Sequence, residues 1–317
     1  MLEEIRRLIA AHARPDLRTP IDGLLLSRVS SSETDYSMTS PLLVVMARGG
    51  KRLLLGDRVF QYRAGDLLLV TADLPVTGHF FDLSPRAPSL AVGLELRPAL
   101  IAPLLLDAAS APPARPGTGA RAGARAGAST GAKAGAIATG VADADLLDAL
   151  VRMLRLLDHP ADVPVLAPLY EREILWRLLT GPHGAVLRQI GLADSALTHV
   201  RGTIQWIREH YDEPLRIPDL ARQAGLSPSA FHRRFRDVTA LSPLQFQKRI
   251  RLQQARELLV TDAGDIAAVG HRVGYDSPSQ FNREYRRLFG APPGQDAARL
   301  RVGSGSGSGA EPQQVLP

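Results

Sequence analysis

Between residues 22 and 97 the chain sets short apolar runs against Gly, Pro and Asp: GLLLSRV, PLLVVMARGG, KRLLLGD, DLLLVTADLP and SLAVGLELRP. Runs of this length with punctuation this frequent predict antiparallel strands forming a small barrel or sandwich. The period then changes. DADLLDALVRMLRLLD puts Leu147, Leu150, Val151 and Leu154 on one stripe, and PLYEREILWRLLTG does the same with Ile174, Leu175 and Leu178. Two helices are therefore expected between 143 and 180, the second punctuated by Pro168 and Gly181. They are expected to pack on the barrel, with a dimer interface as a further role. The opening MLEEIRRLIAAHARP reads as a short amphipathic helix, and another is expected from about Asp194 to His210.

Two stretches break the pattern. SAPPARPGTGARAGARAGASTGAKAGAIATG has too much glycine for a stable helix and little to bury, so about 108–142 reads as a disordered Ala/Gly/Arg insertion. GSGSGSGAEPQQVLP reads as a disordered tail over 302–317.

The C-terminal third contains a repeat. SPSAFHRRFRDVTALSP, from Ser227 to Pro243, returns as SPSQFNREYRRLFGAPP from Ser277 to Pro293. In register, Ser, Pro, Ser, Phe and two Arg recur, while Phe235 faces Tyr285 and Val238 faces Leu288. Each copy follows a shorter helical pattern and a glycine, Gly225 or Gly274. Ser227 and Ser277 suit the cap, and Pro228 and Pro278 the first helical position. Small Ala221 and Gly270 allow close crossing. The unit predicted is a helix-turn-helix, built twice.

At about 100° per residue, Phe231, Phe235 and Val238 share one face and Ser229, Arg233 and Arg236 the opposite one. In the second copy Phe281, Tyr285 and Leu288 form the inner face, and Ser279, Arg283 and Arg286 the outer. His232, Asn282 and Gln280 flank the polar faces. Arginine can bond guanine edges bidentately or clamp phosphates, so this face suits a major groove. SPLQFQKRIRLQQARELLV between the units predicts a helix from about Pro243 to Val260, roughly 27 Å long. Lys248, Arg249 and Arg251 on it are candidates for the DNA backbone or for solvent.

Charge sharpens this picture. The net charge is +6, and His199 to Arg301 holds 17 Lys/Arg against 11 Asp/Glu, a local excess of +6. The insertion at 108–142 carries +4 of its own, so the ordered basic excess lies in the C-terminal third that contains the repeat, which suggests a polyanion partner. No run is long enough for a membrane span, and the first residues lack the pattern of a signal peptide. With no cysteine, disulfides, thiolate metal sites, Cys nucleophiles and thiol-based sensing are excluded. The β region holds one histidine, His79, which reads as structural or pocket-lining rather than as a metal ligand. No phosphate loop, nucleophile elbow or catalytic carboxylate pair stands in a suitable context, and no cofactor is implied.

From about Ile204 to Arg301 the sequence resembles the DNA-binding domain of AraC/XylS-type transcription regulators, and GYDSPSQFNREYRRLFGAPP is similar to that family's second-motif signature. SPLLVVMARGGKRLLLGDRVFQYRAGDLLLVTADLPVTGHF and PVLAPLYEREILWRLLTGPHGAVLRQI resemble the cupin-like N-terminal domain of one branch. The insertion departs from that branch. The resemblance implies a bacterial, cytoplasmic regulator of double-stranded DNA with a sensor or dimerisation domain. It also implies a small organic effector, RNA polymerase as partner, and base contacts from Ser229, His232 and Arg233, then Ser279, Gln280 and Arg283. The expected fold is α+β. A cupin-like β-barrel with flanking helices spans 1–195, and an all-α double helix-turn-helix domain spans 196–301. The candidate DNA-binding residues are Ser229, His232, Arg233, Arg236, Ser279, Gln280, Arg283 and Arg286. No enzyme is expected. A cupin-type enzyme fused to a DNA-binding module, or an architectural DNA binder without a ligand, are the alternatives.

Overall fold

The computed structural model describes residues 1–31, 34–110, 135–191, 196–261, 265–305 and 316. It opens with α1 (Leu2–His12), whose buried Ile5, Leu8 and Ile9 lie on one face, as the amphipathic pattern predicts. Eight strands follow: β1 (Leu24–Val29), β2 (Thr34–Met38), β3 (Leu42–Arg48), β4 (Gly50–Leu55), β5 (Arg58–Arg63), β6 (Asp66–Val70), β7 (Pro75–Phe81) and β8 (Ser89–Glu95). Then come α2 (Pro98–Ser110) and a ninth strand, β9 (Ile137–Val141). Every strand pairing is antiparallel. One sheet runs β1-β8-β3-β6-β9 and the other β2-β7-β4-β5. The sheets stack face to face, and α1 covers the outer side of β1, β3 and β8. Strands β3 and β8 are thus apolar on both faces, which is why LLVVMAR and SLAVGLE read as continuous runs rather than alternations.

Strand β9 corrects the reading of the insertion. Its residues are the Ala/Gly stretch assigned to disorder, yet they form the edge of the five-stranded sheet, paired with Asp66–Val70. Backbone groups recruit them: Thr71 N–H donates to Ala136 O at 2.8 Å, and Ala142 N–H donates to Gly65 O at 3.0 Å. Ala136 and Ile137 are buried. At its other end the expected insertion is also shorter, since 108–110 close helix α2, and residues 111–134 lie outside the described residues.

Helices α3 (Ala144–Arg155) and α4 (Val163–Thr180) pack on each other. Their stripes, Leu147, Leu150, Val151 and Leu154 with Ile174, Leu175 and Leu178, are buried within the chain. These residues are core, so any dimer surface lies elsewhere on the helices. Pro168, expected near the start of α4, sits inside it, because close to the first turn a proline forfeits a single intrahelical bond.

After α5 (Gly184–Gly191) come α6 (Ala196–Glu209), α7 (Ile217–Gln223), α8 (Pro228–Thr239), α9 (Pro243–Thr261), α10 (Ile266–Arg272), α11 (Pro278–Phe289) and α12 (Pro293–Gly305). Helix α12 passes the expected start of the tail at 302, and Leu316 is buried. The core of the β domain continues through Leu187, Ile190, Val200 and Ile204 into the first helix-turn-helix, where Phe231, Phe235, Phe246 and Ile250 complete it. A second core belongs to α9–α12 and contains Leu252, Leu259, Phe281, Tyr285 and Phe289. Helix α9 therefore threads both. Among the described residues no helix is long and apolar enough to cross a membrane.

Candidate nucleic-acid interface

The two helix-turn-helix units share their local chemistry. Gly225 and Gly274 turn the chain with φ of +66° and +85°. In each, a backbone N–H reaches back to the preceding helix: Leu226 donates to Ala221 O at 2.9 Å, and Tyr275 to Gly270 O at 3.0 Å. At Gly274 a side chain is impossible for a second reason, since an added Cβ would lie 2.3 Å from Asp212 O. The Ser227 hydroxyl accepts from Ala230 N–H, and Ser277 from Gln280 N–H. Gly270 passes so close to Phe281 that a Cβ would sit 3.1 Å from its ring. Helices α8 and α11 both end in a left-handed residue, Ala240 (φ +57°) in one and Gly290 (φ +80°) in the other.

These elements fix which side chains face out. Phe231, Phe235 and Val238 are buried, as are Phe281 and Tyr285. Leu288, expected in the core, is half-buried, and Phe289 takes the inner position instead. The reason lies outside the repeat: Tyr36 of β2 packs edge-on against Phe289, with ring centroids 4.8 Å apart.

The candidate residues divide. Ser229, His232, Arg233 and Arg236 of α8 lie on its outward side, and Ser279, Arg283 and Arg286 on that of α11. Gln280 is half-buried, its amide donating to Glu284 Oε1 at 3.2 Å. Arg283 and Arg286 line an open groove of about 590 Å³ with Asn282, Pro278 and the start of α10. Helices α8 and α11 thus each present a short hydroxyl and two guanidinium groups away from the core. A groove-facing helix needs this arrangement, since phosphate contacts orient the protein and base-edge contacts read sequence.

Helix α9 does not follow the expectation for its cations. Lys248 donates to Glu284 Oε1 at 2.6 Å. Arg251 donates to the carbonyls of Tyr211, Gly274, Asp212 and Glu213 and so staples the two units together. Arg249 is half-buried, and burial lowers its guanidinium from the usual range. The partners of Lys248 and Arg251 lie within the protein, which leaves both poorly placed for phosphate. Glu284 also accepts from Tyr275 Oη at 2.9 Å. Burial raises its carboxyl, but the bonds from Lys248, Tyr275 and Gln280 outweigh this and hold it below the ordinary value. In the second core Asp296 has no exposed surface and accepts from Arg256, Tyr285 and Arg299. Burial pushes its carboxyl up, and Arg256 with Tyr285 and Arg299 brings it below the usual carboxylate range.

Sequence patterns did not reveal two further clusters. The first joins the domains: Tyr36 Oη donates to Leu288 O, and Arg256 stands 4.8 Å from the Tyr36 ring and 4.9 Å from that of Phe289. Nearby, Gln253 Nε2 donates to Ser37 O at 3.2 Å. Elsewhere Arg208 pairs with Asp73, and Ala136 N–H donates to Val238 O at the end of α8.

The second cluster lies between the sheets. Lys51 is wholly buried and bonded to Asp35 Oδ2 at 3.2 Å, with Phe80 and Tyr62 beside it in register. Burial lowers the Lys51 ammonium, opposed by Asp35, and raises the Tyr62 phenol. A signal for this existed, since in KRLLL the lysine is in phase with buried Leu53 and Leu55. His79, expected to be structural or pocket-lining, points away from this interior and is exposed.

Known proteins resemble the chain in both halves. The family described as AraC-type transcriptional regulator N-terminus matches residues 20–186, and the helix-turn-helix domain family matches 220–299. The HTH-type transcriptional regulator ExsA of Pseudomonas aeruginosa is 29% identical over 168 residues, which cover 50% of this chain and 59% of ExsA. The HTH-type transcriptional activator RhaS of Salmonella schwarzengrund is 28% identical over 147 residues, covering 45% of this chain and 50% of RhaS. The chain thus spans about half the length of the curated relatives it matches. The crystal structure of an apo ToxT variant from Vibrio cholerae covers 89% of this chain and all of that one at a TM-score of 0.52 and 10% identity, a likeness of fold alone. By the match over most of its N-terminal domain, the chain belongs to the AraC-type transcriptional regulators.

Proposed function

We propose that this regulator reads DNA with α8 and α11 in two successive major grooves, under the control of a ligand held by the β domain. One observation carries the reading: the same outward face of hydroxyl and guanidinium groups occurs on two helices with the same serine N-cap, joined by a continuous helix of 19 residues. At 1.5 Å per residue that helix is about 28 Å long, commensurate with the roughly 34 Å between successive major grooves on one side of the duplex. Ser229, His232, Arg233 and Arg236, then Ser279, Gln280, Arg283 and Arg286, are the DNA-contacting residues, with Gln280 needing to leave Glu284 before it can read a base. The effector is a small organic molecule that shifts the population of DNA-competent states. A homodimer uses the exposed Val165 and Leu169 of α4. Some relatives carry the name activator, which supports activation through RNA polymerase in a bacterial cytoplasm.

Selection of bound sequences from a random DNA pool tests this reading. The expected result is a motif of two blocks about one helical turn apart. A single block would leave one helix as a backbone clamp. No enrichment, with or without candidate effectors, and a salt slope equal on all sequences would identify an architectural binder instead.

A further inference from the structure

The interior of the β domain is occupied by a residue from the far end of the sequence. Leu316 is 3% exposed, and its carbonyl accepts from Lys51 Nζ at 2.5 Å. The strands build the seat, and two glycines clear it. A Cβ at Gly78 of β7 would fall 2.4 Å from Lys51 Cε, and one at Gly93 of β8 would fall 2.9 Å from Leu316 Cδ2. Gly93 shares its face of the five-stranded sheet with Leu25 and Val44, so the walls are apolar on that side. Opposite, the Lys51 ammonium bonds Asp35, lies 4.4 Å over the Phe80 ring, and directs a further N–H at Leu316.

We propose that Leu316 is a tethered occupant of the effector seat, and that an aliphatic molecule bearing an acceptor oxygen displaces it. This rests on the reading of the β domain as a sensor. The chemistry sets the class of ligand. Without Leu316 the buried ammonium keeps one carboxylate and loses an acceptor, which is costly in an interior that excludes water. A replacement must bring both a branched or linear aliphatic body and an oxygen. The seat is also next to an output. Asp35 and Tyr36 are consecutive on β2, and a strand points consecutive side chains to opposite faces. Asp35 touches Lys51 inside, while Tyr36 holds Arg256 and Phe289 of the second helix-turn-helix outside.

Because the chain has no cysteine, Leu316→Cys in the full-length protein gives a single thiol whose reaction with a maleimide reports whether residue 316 is seated. Val59→Cys, at a site 58% exposed, provides the reference rate. Labelling of Leu316→Cys is expected to be at least about tenfold slower than the reference, as for any group that reacts only on local opening. Adding Lys51→Met, or adding 4-methylpentanoate as probe, is expected to restore the reference rate. A reference rate from the start, together with a melting temperature that Leu316→Asp leaves unchanged, overturns the tethered occupant, and protection untouched by both treatments overturns the role of Lys51 and the ligand class. If the shorter Cys itself leaves the seat, Leu316→Asp decides. Its melting temperature should fall by several degrees and recover with 4-methylpentanoate, and an unchanged melting temperature overturns the proposal. None of these readouts involves DNA, so they stand or fall apart from the DNA-binding reading.

Discussion

Arg233 and Arg283 occupy equivalent positions on α8 and α11, on the faces opposite Phe231 and Phe281. If each bonds a guanine edge bidentately, Arg233→Ala or Arg283→Ala should cost about 1–3 kcal/mol on the selected site and much less on random DNA. Fluorescence anisotropy on both DNAs checks this, and equal losses on the two would make the arginines phosphate clamps. A second residue-scale expectation concerns the helix ends. The left-handed cap of α11 is Gly290, but that of α8 is Ala240, whose Cβ opposes such a φ. Ala240→Gly should therefore stabilise the protein by about 0.5–1 kcal/mol, less the entropy glycine adds to the unfolded chain. Urea unfolding measures it.

At the scale of elements, β9 is the instructive case. Deleting Pro112–Gly140 removes the partner of β6 along with the Ala/Gly/Arg tract, so the melting temperature should drop sharply. A deletion that stops at Ala134 spares the strand, and the contrast between the two melts checks its contribution. Acid should act on the second helix-turn-helix through Asp296. Its carboxyl is held lower in the folded protein than in the unfolded chain, so it stabilises above about pH 3.9, and this stability is lost as the pH falls through the folded value. Asp296→Ala removes one partner of a buried network and should cost about 3–5 kcal/mol at neutral pH, with a flatter acid limb, seen by circular dichroism from about pH 2 to 7. Much of the helical half was legible because its signals are local: caps, turn glycines and the face arithmetic need only a few neighbouring residues. Strand β9 was not, since its place depends on a distant backbone edge and not on its own side chains. Lys51 stood in phase with Leu53 and Leu55, but nothing within β4 announces that Leu316 would meet it.

For the molecule as a whole, the first helix-turn-helix shares the core of the β domain, whereas the second has its own and touches the β domain at Tyr36 and Ser37 of β2. Tyr36→Ala removes an aromatic pair worth about 0.5–1.5 kcal/mol. Amides of α10–α12 should then exchange with deuterium about two- to tenfold faster while those of β3 and β8 are unchanged, as hydrogen-exchange mass spectrometry can follow. No such contact could be foreseen from sequence, because it depends on how the two halves dock. If α8 and α11 read successive grooves as proposed, helix α9, continuous through both cores, constrains the grammar of the operator. One extra base pair between the two blocks turns the second by about 34–36° and moves it about 3.4 Å, and an unbroken helix buried at both ends has no joint with which to follow. The regulated promoters should accordingly vary in the letters of each block while keeping the number of letters between them constant.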